Sequence, residues 1–237
     1  MTPYFNFQIP APISVLAFLG TGAVLACLAI AFVVLATARN WFAAKRVAAV
    51  GGALGSGYLA VLAGMSLASR TQVVQPGDAK YFCEIDCHLA YSVVGARRVD
   101  ALGSARAHGA FEVVTVKVWF DPATIDPHRG DAPLTPNPRF VRLVDSGGAR
   151  IAPSPEGTAA LASAQGAQTP LTTALRPGES YTTSLVFDVP RGDRADRLLL
   201  TEDDPVTALL IGHENSLLHP KVVFRLTDAP AAGAVHG

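Results

Sequence analysis

The sequence predicts a transmembrane α-helical hairpin followed by an all-β antiparallel sandwich. Three observations carry this expectation. Of the 19 basic and 19 acidic residues in the 237-residue chain, only Arg39, Lys45 and Arg46 fall before residue 70. Two long uncharged apolar runs occupy that same stretch. Beyond it, short segments alternate apolar and polar residues between turns rich in Gly, Pro and Asp. The charged fraction of 16%, against roughly 25% in an average soluble chain, reflects this division.

Residues 1–12 read as a short extracytoplasmic N-terminus. Residues 13–38 (ISVLAFLGTGAVLACLAIAFVVLATA) contain no charge and reach about 39 Å as a helix at about 1.5 Å per residue. That exceeds a hydrocarbon core of roughly 30 Å, so the run spans with some tilt. Residues 47–68 form a second uncharged run, about 33 Å long as a helix. Between them, 39–46 reads as a tight loop. Its three basic residues place it in the cytoplasm by the positive-inside rule, with Trp41 and Phe42 at headgroup level. The expected partner of the helices is the lipid bilayer, and the expected location is a bacterial inner (cytoplasmic) membrane with both termini extracytoplasmic. A cleaved signal peptide ending at Ala36-Thr37-Ala38 is the competing reading. It fits less well, because the front of the chain lacks a positive charge and the apolar run is far longer than such peptides carry. Gly52, Ser56, Ala60, Gly64 and Ala68 form a small-residue stripe at i+4 spacing, expected to pack on the first helix at Gly22 and Ala26 or on another membrane or envelope protein.

After a linker at 69–79, residues 80–228 read as the sandwich and 229–237 as a flexible tail. In Glu112–Phe120, Val114, Val116, Val118 and Phe120 share one face. Ser180–Val189 sets Tyr181, Thr183, Leu185 and Phe187 against Thr182, Ser184, Val186 and Asp188. Further expected strands are Tyr81–Val94, Phe140–Asp145, Arg197–Thr201, Ala208–Ile211 and Lys221–Leu226. Stretches 121–139 and 152–170 read as loops, with one short helix around Glu156–Ala164. The outer part carries 16 basic and 19 acidic residues without a basic stripe, which speaks against nucleic acid or anionic headgroups as partners.

The most informative local string is Cys83-Glu84-Ile85-Asp86-Cys87-His88. Cys27 falls in the first apolar run, so Cys83 and Cys87 are the two thiols of the outer part, and an oxidising compartment favours a disulfide. On a regular strand residues four apart stand about 13 Å apart, whereas a disulfide needs Cα atoms within about 7 Å. An unbroken strand therefore forbids both the bond and a shared metal, and a bend at Glu84–Asp86 permits either. The alternative is a copper or zinc site drawing on Cys83, Cys87, His88 and His213, with the thiolate and imidazole ligands both metals accept. No catalytic constellation is visible: no Gly-x-Ser-x-Gly elbow, phosphate loop or His-Glu-x-x-His occurs.

Two resemblances bear on these residues. Cys83-x-x-x-Cys87, in a chain with two N-terminal membrane helices and an outer β domain, resembles cytochrome c oxidase subunit II, which implies a cupredoxin-like sandwich and copper. The string departs from that family in lying at the start of the domain and in having His88 directly after Cys87. The strings Leu143-Val144-Asp145-Ser146-Gly147-Gly148, Leu175-Arg176-Pro177-Gly178-Glu179-Ser180 and Val186-Phe187-Asp188-Val189-Pro190 resemble bacterial membrane-anchored envelope proteins with an Ig-like sandwich. The expectation that follows is a non-enzymatic interaction or structural module without a cofactor. The alternative is a copper-binding electron-transfer or metal-handling protein.

Overall fold

The computed structural model describes residues 3–83, 87–125 and 128–226. They form two units: a helical unit of residues 7–70 and 204–220, and a β unit of the remainder. The expected bend at 84–86 and the expected tail at 229–237 lie outside the described residues.

In the helical unit, α1 (Ala11–Thr37) and α2 (Trp41–Ala68) are 27 and 28 residues long, and both are long and apolar enough to cross a membrane. The turn between them is shorter than the loop expected at 39–46. Asn40 caps α2 by accepting the Ala43 N–H at 3.2 Å, so helix starts at Trp41 and Lys45 and Arg46 sit in its first two turns. Arg39 makes the reversal possible at a left-handed φ of 59°. The two helices meet along a different stripe from the one expected. Gly51 and Gly55 of α2 face Leu25 and Leu28 of α1, and a Cβ at Gly51 would stand 3.8 Å from Leu28 Cδ1. Ala44, Leu62 and Ser66 continue that buried stripe, while Gly52, Ser56, Ala60, Gly64 and Ala68 are exposed. Both stripes have helical spacing, so spacing alone does not distinguish them.

The β unit is a sandwich of two mixed sheets. Its strands are β1 (Pro3–Phe5), β2 (Gln72–Val74), β3 (Ala79–Phe82), β4 (Leu89–Leu102), β5 (Ala105–Phe120), β6 (Arg139–Asp145), β7 (Arg150–Ile151), β8 (Ser180–Val189), β9 (Ala195–Glu202) and β10 (Val222–Arg225). One sheet has the order β1-β3-β4-β5-β8 and the other β2-β10-β9-β6-β7. The sheets are not purely antiparallel as expected. The edge strand β1 runs parallel to β3, and the edge strand β2 runs parallel to β10. Each is three residues long and joins a partner distant in sequence, so neither leaves a periodic signal. The expected N-terminal tail thus contributes a strand.

The core between the sheets takes Tyr91, Val114, Val116, Val118, Phe120 and Phe187 from one side and Val141, Leu143, Leu198, Leu200 and Phe224 from the other. The even-numbered face of β5 points inward, as alternation requires. Its other face is covered as well. Helix α3 (Pro155–Gln165), which takes in the short helix expected around Glu156–Ala164, sets Leu161 against Phe111, Val113 and Val186. Ser154 caps α3 by accepting the Gly157 N–H at 3.0 Å. The expected strand Tyr81–Val94 is broken between β3 and β4. The expected strand Ala208–Ile211 is instead part of a segment whose 3₁₀ turn covers Pro205–Leu209, within the helical unit.

Candidate functional site

The break between β3 and β4 is where the sequence concentrates its chemistry. Cys83 and Cys87 are joined by a disulfide there. The strand could not continue through both cysteines and still bring the sulfurs together. Asn6, just past β1, holds the first cysteine: its Oδ1 accepts the Cys83 N–H at 2.9 Å and its Nδ2 donates to Glu202 Oε1 at 3.1 Å.

A buried charged cluster lies around the residue that precedes the disulfide. The guanidinium carbon of Arg139 is 4.2 Å from the centre of the Phe82 ring and 5.3 Å from that of Tyr91. Its Nε donates to the Tyr91 hydroxyl at 3.2 Å, and its Nη1 is 3.8 Å from Glu202 Oε1. Lys80 Nζ donates to the Leu200 carbonyl at 2.6 Å and lies 4.7 Å from the Phe82 ring centre. Two buried cations thus share one aromatic ring, and the faces of such rings attract cations. Burial, then the neighbouring Tyr91 oxygen, pushes the Tyr181 hydroxyl pKa upward.

On the other side of the break, His88 stacks on Phe120 with ring centres 5.3 Å apart. Its Nδ1 is 2.7 Å from Thr124 Oγ1. The Thr124 hydroxyl is also within 2.8 Å of the Asp121 carbonyl, so His88, Thr124 and Asp121 form one hydrogen-bonded chain. Asp121 Oδ2 accepts from the Tyr81 hydroxyl at 2.6 Å. Burial first, then this bond and the carboxylate charge, push the Tyr81 pKa up to about 12.

The residues considered as metal ligands divide accordingly. Cys83 and Cys87 are held as a disulfide and offer no thiolate in this form. His88 uses Nδ1 on Thr124. His213 belongs to the helical unit, where its Nδ1 accepts the Asn215 N–H at 2.9 Å and its ring meets Phe7 edge-on at 4.6 Å. Among the described residues no group of three or more His, Cys, Asp or Glu side chains is placed to hold a metal ion.

Sequence reasoning missed Asn6, Lys80, Arg139 and Glu202. Strand parity was the available signal for three of them. Lys80 alternates in step with Phe82, Arg139 with Val141 and Leu143, and Glu202 with Leu198 and Leu200, so each is aimed at the core. Asn6 carries no such signal. Elsewhere in the β unit, an open cleft of about 650 Å³ is lined by Arg98, Glu112, Asp193, Arg194 and Asp196 beside Ala96 and Leu226. Its charges are of mixed sign, and Arg98 Nη1 donates to the Asp193 carbonyl at 3.1 Å.

No family model matches the sequence, and no curated protein matches it. Among solved structures, the yjhA protein from Bacillus subtilis aligns over 65% of this chain and 99% of its own, at 13% identity and a TM-score of 0.38. That likeness is too distant to bear on fold or function.

Proposed function

We propose that this chain is a membrane-anchored envelope protein. Helices α1 and α2 span a bacterial inner membrane, and the β-sandwich stands on the extracytoplasmic side as a non-enzymatic interaction or structural module. The Cys83–Cys87 disulfide is the observation that carries this reading, because such bonds persist in oxidising compartments and not in the cytoplasm. Arg39, Lys45 and Arg46 at the α1–α2 turn agree with it, since basic residues favour the cytoplasmic side. The cluster around Phe82 supports a structural role, since its cations are engaged with rings and a backbone carbonyl.

A visible absorption spectrum and a metal assay on the full-length protein, purified in detergent without chelators, test the reading. A colourless protein without stoichiometric metal is expected. Intense visible absorption lost on replacing either cysteine with serine would instead support copper handling.

A further inference from the structure

The helical unit is inside-out. Of its residues, the polar Ser14, Ser66, Thr207, His213, Glu214 and Ser216 are buried. Its surface holds large apolar side chains, among them Leu16 near the start of α1 at 69% exposure and Leu67 near the end of α2 at 71%. A water-soluble unit has the reverse arrangement, so the surroundings that fit this surface are hydrocarbon. The segment Asp204–Pro220 belongs to the same unit and shows the same inversion. Val206, Leu209, Leu217 and Leu218 point outward, the last at 70% exposure, while His213 and Glu214 are buried at 0% and 1%.

Two contacts set the depth of the segment along the helices. The Tyr58 hydroxyl donates to the Leu209 carbonyl at 2.7 Å, and Leu209 borders a small apolar hollow with Phe18, Gly22, Leu25 and Gly55. Tyr58 is ten residues before the end of α2 at Ala68, about 15 Å along a helix. That is about half the thickness of a hydrocarbon core. Raising the ends of α1 and α2 clear of the bilayer would place Ile13, Leu16 and Leu67 in water, which their exposure makes unfavourable.

Non-helical backbone at such depth needs its polar groups satisfied within the protein. The segment answers much of that demand with bonds of its own. The N–H groups of Leu210, His213, Ser216 and His219 donate to the carbonyls of Thr207, Leu210, His213 and Ser216, and Leu217 N–H reaches the Ala208 carbonyl. The Ser216 hydroxyl adds a bond to the Leu210 carbonyl, and the Gly212 carbonyl accepts the Gln8 N–H at 2.8 Å. Residues 205–218 contain no Lys or Arg, while Asp203, Asp204 and Lys221 flank them.

We propose that Asp204–Pro220 is a re-entrant segment embedded in the membrane, with Val206, Leu209, Leu217 and Leu218 in contact with lipid acyl chains. This rests on the reading that α1 and α2 span the bilayer, and the test separates the two. The full-length protein carrying Trp41→Phe and Trp119→Phe receives one new tryptophan, by Val24→Trp or by Leu218→Trp, in vesicles of phosphatidylcholine brominated along the acyl chain. The proposal expects Leu218→Trp to lose its emission to the brominated lipid as strongly as Val24→Trp does, and to resist quenching by aqueous iodide. Quenching of Val24→Trp with Leu218→Trp open to iodide keeps the spanning helices and overturns the re-entrant segment. Protection of Leu218→Trp from both quenchers overturns it in favour of coverage by another copy of the chain. Absence of lipid quenching at both positions overturns the spanning reading itself. Labelling of the unmodified protein with a membrane-partitioned photoactivatable diazirine tests the segment without any substitution: peptides from 204–220 are labelled if it is embedded and blank if it is not.

Discussion

The side chain of Asn6 accepts a hydrogen bond from the backbone N–H of Cys83 at 2.9 Å, joining the residue that follows the N-terminal strand to the one that opens the disulfide. The same side chain donates to Glu202 from its other end, so one buried amide serves two elements. Replacing Asn6 with Ala strands a buried N–H and one bond of a carboxylate. The expected cost is about 1–3 kcal/mol per buried polar group left without its partner. Thermal unfolding of the detergent-solubilised protein should show a clearly lowered midpoint, and an unchanged one would show that the bridge does not matter.

The disulfide closes a very short ring, so its removal is expected to cost less than the roughly 3 kcal/mol of a 15-residue loop. Thiol counting on the denatured protein checks its presence in cells. Cys27 alone should react before reduction and all three cysteines after it. Three reactive thiols without reductant would show that the bond does not form.

His108 and Asp188 form an exposed pair on β5 and β8, with His108 Nδ1 2.6 Å from Asp188 Oδ2. The bond to Asp188 and then its charge raise the imidazole pKa. For Asp188, partial burial alone would raise the carboxyl, but bonds from the His108 ring and the His108 and Gly109 N–H groups outweigh it and lower the pKa. A raised histidine stabilises fully below its unfolded value of about 6.5 and loses that contribution as pH climbs through the folded value. A lowered aspartate contributes above its unfolded value of about 3.9 and loses that as pH falls through the folded one. The pair therefore stabilises most between about pH 4 and 6.5. The gap in unfolding midpoint between the wild type and His108→Gln should be widest there and close on the alkaline side. A gap that does not vary with pH contradicts this.

Gly157 sits in the first turn of α3, where a Cβ would come within 2.5 Å of Val186 Cγ1 and 3.0 Å of Phe111 Cε1. Alanine favours a helix over glycine by about 1 kcal/mol. Overpacking a tight contact costs about 1–3 kcal/mol, so Gly157→Ala should destabilise on balance. An unfolding midpoint raised by Gly157→Ala would mean that α3 yields easily.

Much of the architecture was legible because it rests on periodicity. The two apolar runs mark α1 and α2 by length alone, and the β8 limits Ser180–Val189 follow directly from alternation. What escaped is long-range. The strands β1 and β2 are three residues each and become strands only by pairing with β3 and β10, which no local pattern announces. Ala208–Ile211 has the apolar run of a strand but lies on the helices, because a short run does not distinguish its partner. At the site, Cys83, Cys87 and His88 stand out by residue type, whereas Asn6 bonds Cys83 from 77 residues before it and Glu202 bonds Asn6 from 119 residues after Cys83. The choice between disulfide and metal turns on the backbone between two cysteines, and composition does not determine that.

Everything proposed for this chain requires helices that anchor it in the membrane and a β unit that stands outside the cytoplasm. Cysteine labelling with a membrane-impermeant maleimide, in a Cys27→Ala background, reads that topology. Ser146→Cys, on the exposed β6–β7 turn, should label in intact spheroplasts, and Asn40→Cys, at the α1–α2 turn, only after permeabilisation. Labelling of Asn40→Cys in intact spheroplasts, with Ser146→Cys protected until they are opened, would contradict it.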